Sequence, residues 1–484
     1  MRPGWPPTTW LRPDLDSPRA GVPVRRAYCV GMAGSGMQAI AEWLLAAGWQ
    51  VSGSDRSATP ILIEHFRALG ARLDRQQDFI SLPPCLDLLI HSPAIPETNA
   101  ERVAAREQGV PEWSYPQALG QLMRGHLGIS IAGTHGKSTT TALVGHLLRE
   151  SGLDPSIICG ARMLNENRSG TCGTGTLLVA ESCEYRGHFL ELSPRCIGLL
   201  GIEPDHFDCF PTFDQALATY RQFISRLPPD GLIVANRDCA ATTSIVNELG
   251  TRTIFVSTTD EQADYLVTRI ATSAAGLSLS VRLPNQEMID LICPQSGNHH
   301  AINITTALAI ALEHGASLEQ CRAALASFAG IGRRFELRAE DRGVTWIDDY
   351  AHHPTAVKAV LDAARDRYPR RRIWCAFQPH QVSRTRELAS DFAKALSRAD
   401  EVLIQPVFGA REAGDGEQIE LSRQLVRDVA ARGTPAHFAS DLDHTWTTLE
   451  THLRPGDVVL TVGAGDIDRI YHEFTGRLRL HHAS

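Results

Sequence analysis

Short apolar runs alternate with amphipathic stretches along most of the chain after its first 23 residues. The first apolar run, residues 27–30, is followed by a glycine-rich turn, an apolar helical stretch over 37–47 and a second strand that ends near Asp55. This order predicts a βαβ unit, in which a helix joins two parallel strands. A strand at 86–91, a helix at 100–108 and a linker near 113–120 complete the first predicted domain.

The same alternation predicts two further units. The second starts with a strand at Leu127–Ala132, a glycine loop and a helix at 138–150, and the third starts after Gly330. Alternation of this kind is typical of parallel sheets covered by helices. The other strands predicted in the second unit are 176–180, 196–202, 231–235 and 253–257, with a helix at 213–226; those of the third are 344–347, 372–377, 401–404 and 458–462, with a helix at 355–368.

Length and composition agree with an α/β protein of three domains. A chain of 484 residues is too long for one core, and its 43% hydrophobic and 21% charged residues are typical of a globular enzyme. We therefore predict a flexible tail at 1–23, a Rossmann-like domain at 24–118, a central domain at 119–330 with a parallel sheet like that of P-loop ATPases, and a second Rossmann-like domain at 331–484.

Charge and cysteine content disfavour several classes of protein. The net charge of -8 gives no support for a nucleic-acid or anionic-membrane partner, so we expect small-molecule ligands. The 11 cysteines form no CxxC pair, which disfavours a zinc ribbon or a disulfide framework and favours the reducing cytoplasm. The first 23 residues contain no apolar segment that could form a signal core or a membrane span.

A glycine-rich loop predicts a phosphate site. Residues 133–140 read GTHGKSTT, directly after an apolar strand and at the start of a predicted helix. Backbone N–H groups there would hold phosphates, Lys137 would contact the β and γ oxygens, and Ser138 would bind Mg²⁺. Only three of the 47 basic residues are lysines, so Lys137 is a specific signal. Because Ile131 stands where a full Walker A motif has glycine, the loop is a shortened variant, and a turn without function is the alternative.

Two further polar groups follow strands of the second unit. Glu181 comes after the strand at 176–180, and His206 lies just past the strand at 196–202. A carboxylate at this edge would complete a Mg²⁺ site begun by Ser138, and His206 would hold a second cation. Either residue alone would more often be a surface or capping residue, but their common position at strand ends after a phosphate loop favours the two-metal interpretation.

The first glycine turn has two interpretations. Residues 31–36 read GMAGSG, and Asp55 follows 19 residues after Gly36, which is similar to an NAD(P) fingerprint in a different glycine order. The helix dipole and the close approach that glycine allows would suit the diphosphate of a UDP group equally well. From these residues alone, an NAD(P)-dependent oxidoreductase and an enzyme of UDP-sugars both stay open.

Three polar clusters follow strands of the third unit. They are Arg333-Arg334-Phe335, the run DDYAHHPT at 348–355 and the run FQPHQVSRT at 377–385. Each cluster alone is consistent with helix caps and loop residues. Together they supply cationic donors for the charge that develops in phosphoryl transfer and groups that can hold an amine nucleophile close to a carbonyl.

Taken together, these runs resemble the Mur ligase superfamily over residues 26 to about 471. The resemblance also includes VSGSD at 51–55, the run at 179–184 and IEPDH at 202–206. It implies a first domain that binds a UDP-sugar, a second that binds ATP and a third that closes over both with the amino acid. The run QPHQVSRT favours the branch that adds L-alanine over the branch that adds a murein tripeptide.

The resemblance assigns roles by position. It implies catalytic roles for Lys137, Glu181, His206, Arg334 and Asp349, metal binding by Ser138, Glu181 and His206, and amino-acid binding by Tyr350, His352 and Arg384. The implied ATP-binding positions are Gly133, Thr134, His135, Gly136, Lys137, Ser138, Thr139, His299, Asn303, Arg334, Asp348 and Asp349. The implied UDP-sugar positions are Gly31, Ala33, Gly34, Ser35, Gly36, Met37, Asp55 and Ser92.

The implied activity is ATP-dependent ligation of L-alanine to the carboxylate of UDP-N-acetylmuramate, through an acyl phosphate, in peptidoglycan precursor synthesis. ATP and Mg²⁺, at two sites, are the implied cofactors. We further expect a cytoplasmic monomer or homodimer without nucleic-acid or membrane partners. The alternatives are a murein tripeptide ligase, a catalytically degenerate nucleotide-binding homologue and, less favoured, an NAD(P)-dependent oxidoreductase.

Overall fold

Three sheets with their own helices make up the part of the chain that the structure describes. The structure is a computed structural model, and it describes residues 24–77, 82–273, 276–409 and 416–471. The tail predicted at 1–23 lies outside these residues. The predicted α/β class with three parallel-sheet units is confirmed.

The first sheet has five parallel strands in the order β3-β2-β1-β4-β5. The order reverses between β1 and β4, and ligands of open α/β sheets bind at the carboxyl ends of the strands at such a point. The strands are β1 Arg26–Val30, β2 Gln50–Ser54, β3 Arg72–Asp74, β4 Leu88–His91 and β5 Glu112–Ser114; the helices are α1 Ser35–Ala46, α2 Pro60–Ala68, α3 Ala100–Glu107 and α4 Tyr115–Arg124.

The linker expected at 113–120 was wrong, because this segment forms β5 and the first half of α4. Ser114 and Gln117 form a capping box, in which the Gln117 amide oxygen accepts a hydrogen bond from the Ser114 N–H at 2.9 Å. Pro116 lies in the first turn of the helix, where its missing N–H costs nothing. The boundary predicted between residues 118 and 119 therefore falls inside a helix.

The second sheet has ten strands in the order β15-β14-β13-β12-β11-β10-β6-β9-β7-β8. Its middle, from β13 to β7, is parallel, whereas β14, β15 and β8 add antiparallel strands that the sequence analysis did not predict. The strands are β6 Leu127–Ala132, β7 Ser156–Met163, β8 Arg168–Thr171, β9 Leu177–Glu181, β10 Cys196–Leu199, β11 Leu232–Asn236, β12 Thr253–Ser257, β13 Tyr265–Ser273, β14 Gly276–Arg282 and β15 Met288–Cys293; the helices are α5 Lys137–Glu150, α6 Phe213–Ile224, α7 Ala240–Leu249, α8 His300–Glu313 and α9 Leu318–Ser327, with a 3-10 segment at Tyr185–Glu191.

The third sheet has six strands in the order β16-β17-β21-β18-β19-β20, and all pairs are parallel except β16 with β17. Its strands β17, β18 and β21 are buried throughout. The strands are β16 Glu336–Asp341, β17 Val344–Asp349, β18 Ile373–Phe377, β19 Glu401–Ile404, β20 Ala436–Phe438 and β21 Val458–Val462; the helices are α10 Pro354–Arg367, α11 Val382–Glu387, α12 Ala389–Leu396, α13 Glu417–Ala430 and α14 Leu442–His452.

Helix α1 of the first unit docks on strand β8 of the second. The buried carboxylate of Glu42 accepts hydrogen bonds from the backbone N–H groups of Ser169 and Gly170 at 2.6 and 2.9 Å. A Cβ added to Gly170 would lie 1.8 Å from the Ala39 carbonyl oxygen, so only glycine permits this approach. The contact fixes how the first unit sits on the second.

None of the helices in the described residues combines the length and the hydropathy that crossing a lipid bilayer requires.

Candidate active site

The loop between β6 and α5 forms an uncapped helix N-terminus at the carboxyl edge of the second sheet. Gly133 and Gly136 have φ angles of 133° and 81°, which favour glycine. A Cβ at Gly136 would lie 2.5 Å from the Asn303 amide oxygen. No side chain caps α5, so its first N–H groups and its dipole point at the loop. The loop therefore has the properties of the predicted phosphate site.

Lys137 is held inside this loop by a carboxylate that the sequence analysis did not assign. Its Nζ donates to the Gly133 carbonyl at 2.6 Å and to both oxygens of Glu184 at 3.0 and 3.1 Å. Burial, the largest single effect, lowers the pKa of Lys137, but Glu184 together with neighbouring groups such as Glu181 outweighs it, so the pKa is raised. The ammonium is therefore charged and oriented before any phosphate arrives.

The three residues expected to bind metal lie at the ends of three neighbouring strands. Ser138 follows β6, Glu181 ends β9 and His206 follows β10, and these strands are adjacent in the order β10-β6-β9. Glu181 Oε2 accepts a hydrogen bond from the Gly160 N–H at 2.6 Å, which fixes its carboxylate. A hydroxyl, a carboxylate and an imidazole at one edge are a suitable ligand set for a divalent cation.

His206 has one nitrogen without a partner. Its Nε2 lies 3.5 Å from Glu184 Oε1, while its Nδ1 is buried and has no hydrogen-bond partner in the described residues. The backbone of His206 has a φ of 55°, an unusual value for a non-glycine residue. An orphaned buried nitrogen in a strained loop fits a cation ligand better than a structural residue.

Two histidines at the start of α8 lie beside the phosphate loop. The rings of His299 and His300 are 4.1 Å apart, and burial, helped by Arg334 and His135, lowers the pKa of His299 to about 4. The Asn303 amide and His300 Nδ1 are hydrogen-bonded at 3.3 Å. The predicted positions His299 and Asn303 are thus brought together with the loop at Gly136.

The acidic pair of the third unit is engaged in holding its own loops. The two oxygens of Asp349 accept hydrogen bonds from the N–H groups of Phe335 and Ala351 at 2.7 and 2.8 Å. Asp348 accepts one from Arg333 Nε at 3.0 Å and one from the Thr461 hydroxyl at 2.6 Å. In this arrangement both aspartates position the segment that carries the arginines.

Arg334 lies at the junction of the second and third units. Its guanidinium carbon lies 5.4 Å from the centre of the Tyr350 ring, a cation–π distance. Its charge contributes to the lowered pKa values of His299 and His300, which belong to the second unit. Arg334 therefore faces the loop region from the third unit, as expected for a residue that closes a nucleotide site.

The expected amino-acid residues form one cluster across the two units. His352 Nδ1 lies 2.8 Å from the Tyr350 carbonyl, and its ring packs against that of His380 at 5.9 Å. Arg384, only 1% exposed, donates from Nε to Asp205 Oδ1 at 2.7 Å. Burial, the largest single effect, raises the pKa of Asp205, but Arg384 together with His206 and His352 outweighs it, so the pKa is lowered. The sequence analysis missed Asp205, which lies within IEPDH, as the partner of Arg384.

The first glycine turn is a second uncapped helix start. Gly31 has a φ of 80°, and α1 begins after Gly34 without a side-chain cap. A Cβ at Gly36 would lie 2.7 Å from the Tyr115 ring, and one at Gly31 would lie 2.9 Å from Ser92 Cβ. Gly31, Gly34, Gly36 and Ser92 are thus brought together at the switch point of the first sheet, with Ser35 and Met37 in the first turn of α1.

Asp55 supports this turn. Its Oδ2 accepts a hydrogen bond from the Ala33 N–H at 2.9 Å, and its Oδ1 accepts from the N–H and hydroxyl of Ser57 at 2.8 and 2.6 Å. In an NAD(P) fingerprint the equivalent acid binds the ribose hydroxyls. In this structure Asp55 orients the glycine turn through these three hydrogen bonds, whichever nucleotide the turn binds.

Comparison with known proteins agrees with this geometry. Three family models match the chain: the Mur ligase family catalytic domain at residues 26–127, the Mur ligase middle domain at 131–311 and the Mur ligase glutamate ligase domain at 333–465. The UDP-N-acetylmuramate--L-alanine ligase of Clostridium acetobutylicum is 32% identical, and the match covers 94% of this chain and 98% of the relative. The chain belongs to the Mur ligase family.

Two more Mur ligases extend the comparison. The UDP-N-acetylmuramate--L-alanine ligase of Acidithiobacillus ferrooxidans is 37% identical over 92% of this chain and 96% of its own length. The crystal structure of the UDP-N-acetylmuramate-alanine ligase of Thermotoga maritima matches with a TM-score of 0.80 at 25% identity, covering 94% of this chain and 99% of that one. The family resemblance seen in the sequence motifs is confirmed.

Proposed function

We propose that this Mur ligase joins L-alanine to the carboxylate of UDP-N-acetylmuramate at the expense of ATP, in peptidoglycan precursor synthesis. The observation that carries the proposal is the junction where Lys137 and the uncapped start of α5 face the cluster around Arg384. The relatives, which are named for this reaction, support the same substrates.

The phosphates of ATP would lie at the N-terminus of α5, within the loop formed by Gly133, Thr134, His135 and Gly136. Lys137 would transfer part of its hydrogen bonding from Glu184 to the β and γ oxygens. The base would lie near His299 and Asn303, which adjoin the loop. Arg334 would approach from the third unit and face the charge that develops on the transferred phosphoryl group.

Ser138, Glu181 and His206 would hold Mg²⁺ at two sites. The free Nδ1 of His206 and the fixed carboxylate of Glu181 support this assignment. The ions, when bound, neutralise negative charge on the phosphates during transfer. The protein contributes the metal ligands at three adjacent strand ends. Lys137 supplies a positive charge in addition to that of the ions.

The reaction would proceed in two displacements. The muramate carboxylate attacks the γ-phosphorus, ADP leaves and an acyl phosphate forms. The alanine amine then attacks the acyl carbon, phosphate leaves and the amide remains. Arg384 would hold the alanine carboxylate beside Tyr350 and His352, and Asp205 keeps the guanidinium in position.

The UDP-sugar would lie on the first unit, with its diphosphate at the start of α1. The turn of Gly31, Gly34 and Gly36 allows close approach, and the α1 dipole favours the negative charge. We expect the enzyme to act in the cytoplasm as a monomer or homodimer.

The proposal is tested by measuring phosphate release and amide formation with single components omitted. Release should require ATP, Mg²⁺, UDP-N-acetylmuramate and L-alanine together, and the product should contain one alanine per UDP-sugar. Phosphate release at the same rate without the UDP-sugar, or binding of NADPH in place of ATP, would contradict the proposal. Replacing L-alanine by the murein tripeptide separates the two ligase branches, and ATP binding without turnover identifies a degenerate homologue.

A further inference from the structure

A cluster outside the proposed Mg²⁺ site joins the second and third units. His135 lies in the phosphate loop, Glu203 follows β10, and His353 precedes α10 of the third unit. One ligand atom from each residue lies within 4.8 Å of the others. His353 is 5% exposed, and the two side chains of the second unit are partly exposed. The cluster therefore lies where the two units meet and can be reached from solvent.

The distances match a tetrahedral site for a transition metal. Glu203 Oε2 lies 3.5 Å from His135 Nε2 and 3.7 Å from His353 Nδ1. Bonds of about 2.1 Å to zinc separate neighbouring ligands of a tetrahedron by about 3.4 Å. Two imidazoles and one carboxylate are a known zinc ligand set, whereas Mg²⁺ prefers oxygen ligands in an octahedron.

The hydrogen bonds of His353 place its one ring lone pair on Nδ1, the nitrogen nearer to the Glu203 carboxylate. The Thr355 N–H donates to His353 Nδ1 at a long 3.4 Å, so the ring proton is on Nε2, 3.3 Å from the Pro204 carbonyl. The unprotonated Nδ1 lies 3.7 Å from Glu203 Oε2, and a bound cation would take its lone pair in place of the long Thr355 hydrogen bond. A donated Nε2–H of this kind fixes the orientation of metal-binding histidines.

The other two members of the cluster are also set for a cation. His135 Nε2 is buried and has no hydrogen-bond partner in the described residues. The Thr355 hydroxyl donates to Glu203 Oε2 at 2.7 Å and orients the carboxylate.

We propose that His135, Glu203 and His353 bind a zinc-class divalent cation that cross-links the phosphate loop to the third unit. The site shares no ligand with the proposed Mg²⁺ site of Ser138, Glu181 and His206. Its fourth position is open to solvent or to a ligand of the cation. Binding holds α10 against the loop and stabilises the arrangement in which the two units touch.

The test is zinc binding to the full chain after chelator treatment, without nucleotide, measured by calorimetry with ZnCl₂. We expect about one tight equivalent per chain, at least tenfold weaker binding in His353→Asn and in Glu203→Gln, and no change in His437→Asn, an exposed histidine of the third unit. Asparagine is a good helix N-cap, so His353→Asn retains the cap of α10 while removing the ligand.

Two further measurements separate this site from others. Co²⁺ in place of zinc should give the intense visible bands of a four-coordinate ion in the parent chain and lose them in His353→Asn. Zinc should raise the melting temperature of the parent chain but not that of His353→Asn, because only the folded site binds it. The proposal is overturned if His353→Asn binds zinc as tightly as the parent, or if His206→Asn alone abolishes binding.

Discussion

At the scale of single residues, the decisive feature of the active site is a cation that already has a partner. The Lys137 ammonium is neutralised by the buried carboxylate of Glu184, which also lies near His206. A lysine placed alone in this buried loop would have a lowered pKa, because burial disfavours the charged form. Glu184 thus helps to keep Lys137 charged and oriented before phosphates bind.

We expect Lys137→Ala to lower kcat/KM for ATP by at least about a hundredfold, the range seen when one fixed donor to a developing charge is removed. The affinity for UDP-N-acetylmuramate should stay within about twofold, because that ligand is assigned to another unit. Steady-state phosphate release and calorimetric binding measure the two effects. Lys394→Ala, which changes an exposed lysine on α12, serves as control. If Lys137→Ala weakened the binding of ATP and of UDP-N-acetylmuramate equally, the assignment of the two ligands to different units would be wrong.

Asp348 should make stability depend on pH. Burial raises its pKa to about 6, although Arg333 and Thr461 act in the opposite direction. The unfolded chain has an ordinary carboxyl pKa of about 3.9. Stability is therefore greatest below the unfolded pKa and falls as the pH rises through about 6, where the folded protein must carry a buried charge.

We accordingly expect Asp348→Asn, which keeps an acceptor for Thr461, to gain stability relative to the parent as the pH rises from 4.5 to 7.5. The gain should reach about 2 kcal/mol, following the difference between the two pKa values. Scanning calorimetry across that pH range measures it, with the exposed Asp443→Asn on α14 as control. A difference that does not change with pH would mean that Asp348 titrates alike in both states.

At the scale of helices and strands, local patterns predicted the core elements but not the edges. The bounds predicted for β6, β12, β19 and β21 agree with the structure, because each is a short apolar run between polar turns, mostly buried in β6, β19 and β21 and partly buried in β12. The meander β13–β15 was missed although β15 alternates exposed and buried positions, a signal of a half-exposed antiparallel strand. The sequence analysis expected strands and helices to alternate throughout this unit, as in a parallel sheet, and therefore did not predict these antiparallel strands.

The site could be predicted only where a motif lies within one segment. The residues of the phosphate loop are consecutive, so strand, loop and helix physics place them together. The pairs Lys137–Glu184 and Asp205–Arg384 join positions 47 and 179 residues apart. Their contact depends on strand order and on the docking of whole units, which no local periodicity encodes.

Gly170 is an element-scale contact that can be tested. We expect Gly170→Ala to lower the free energy of unfolding by about 1–3 kcal/mol or more. The added methyl group would force α1 away from β8 and break both hydrogen bonds to Glu42. Calorimetry should detect the lower stability, and limited proteolysis should cleave the variant faster than the parent between the first two units. Gly332→Ala, whose added methyl has its nearest neighbour at 3.6 Å, should behave like the parent.

At the scale of the whole molecule, the second and third units are joined by polar contacts around the active site. Arg384 of the third unit pairs with Asp205 of the second, and the Thr355 hydroxyl donates to Glu203 at 2.7 Å. Farther from the site, Arg367 donates to the Ser296 hydroxyl at 2.7 Å. Polar interfaces of this kind are typical of units that move relative to each other. The Asp205–Arg384 pair therefore both positions a substrate residue and holds the units together.

We expect Asp205→Asn to favour separation of the second and third units and to weaken alanine binding. Asparagine leaves the guanidinium of Arg384 buried without its counter-charge, and removing one partner of a buried pair costs about 3–5 kcal/mol unless the structure opens to hydrate the other. Small-angle X-ray scattering should then show a larger radius of gyration with bound ATP analogue, and the KM for alanine should rise about tenfold or more. Glu417→Gln, which breaks the exposed Arg386–Glu417 pair within the third unit, should change neither quantity. An Asp205→Asn enzyme with unchanged dimensions and a reduced kcat alone would show instead that Asp205 acts in the chemical step rather than in joining the two units.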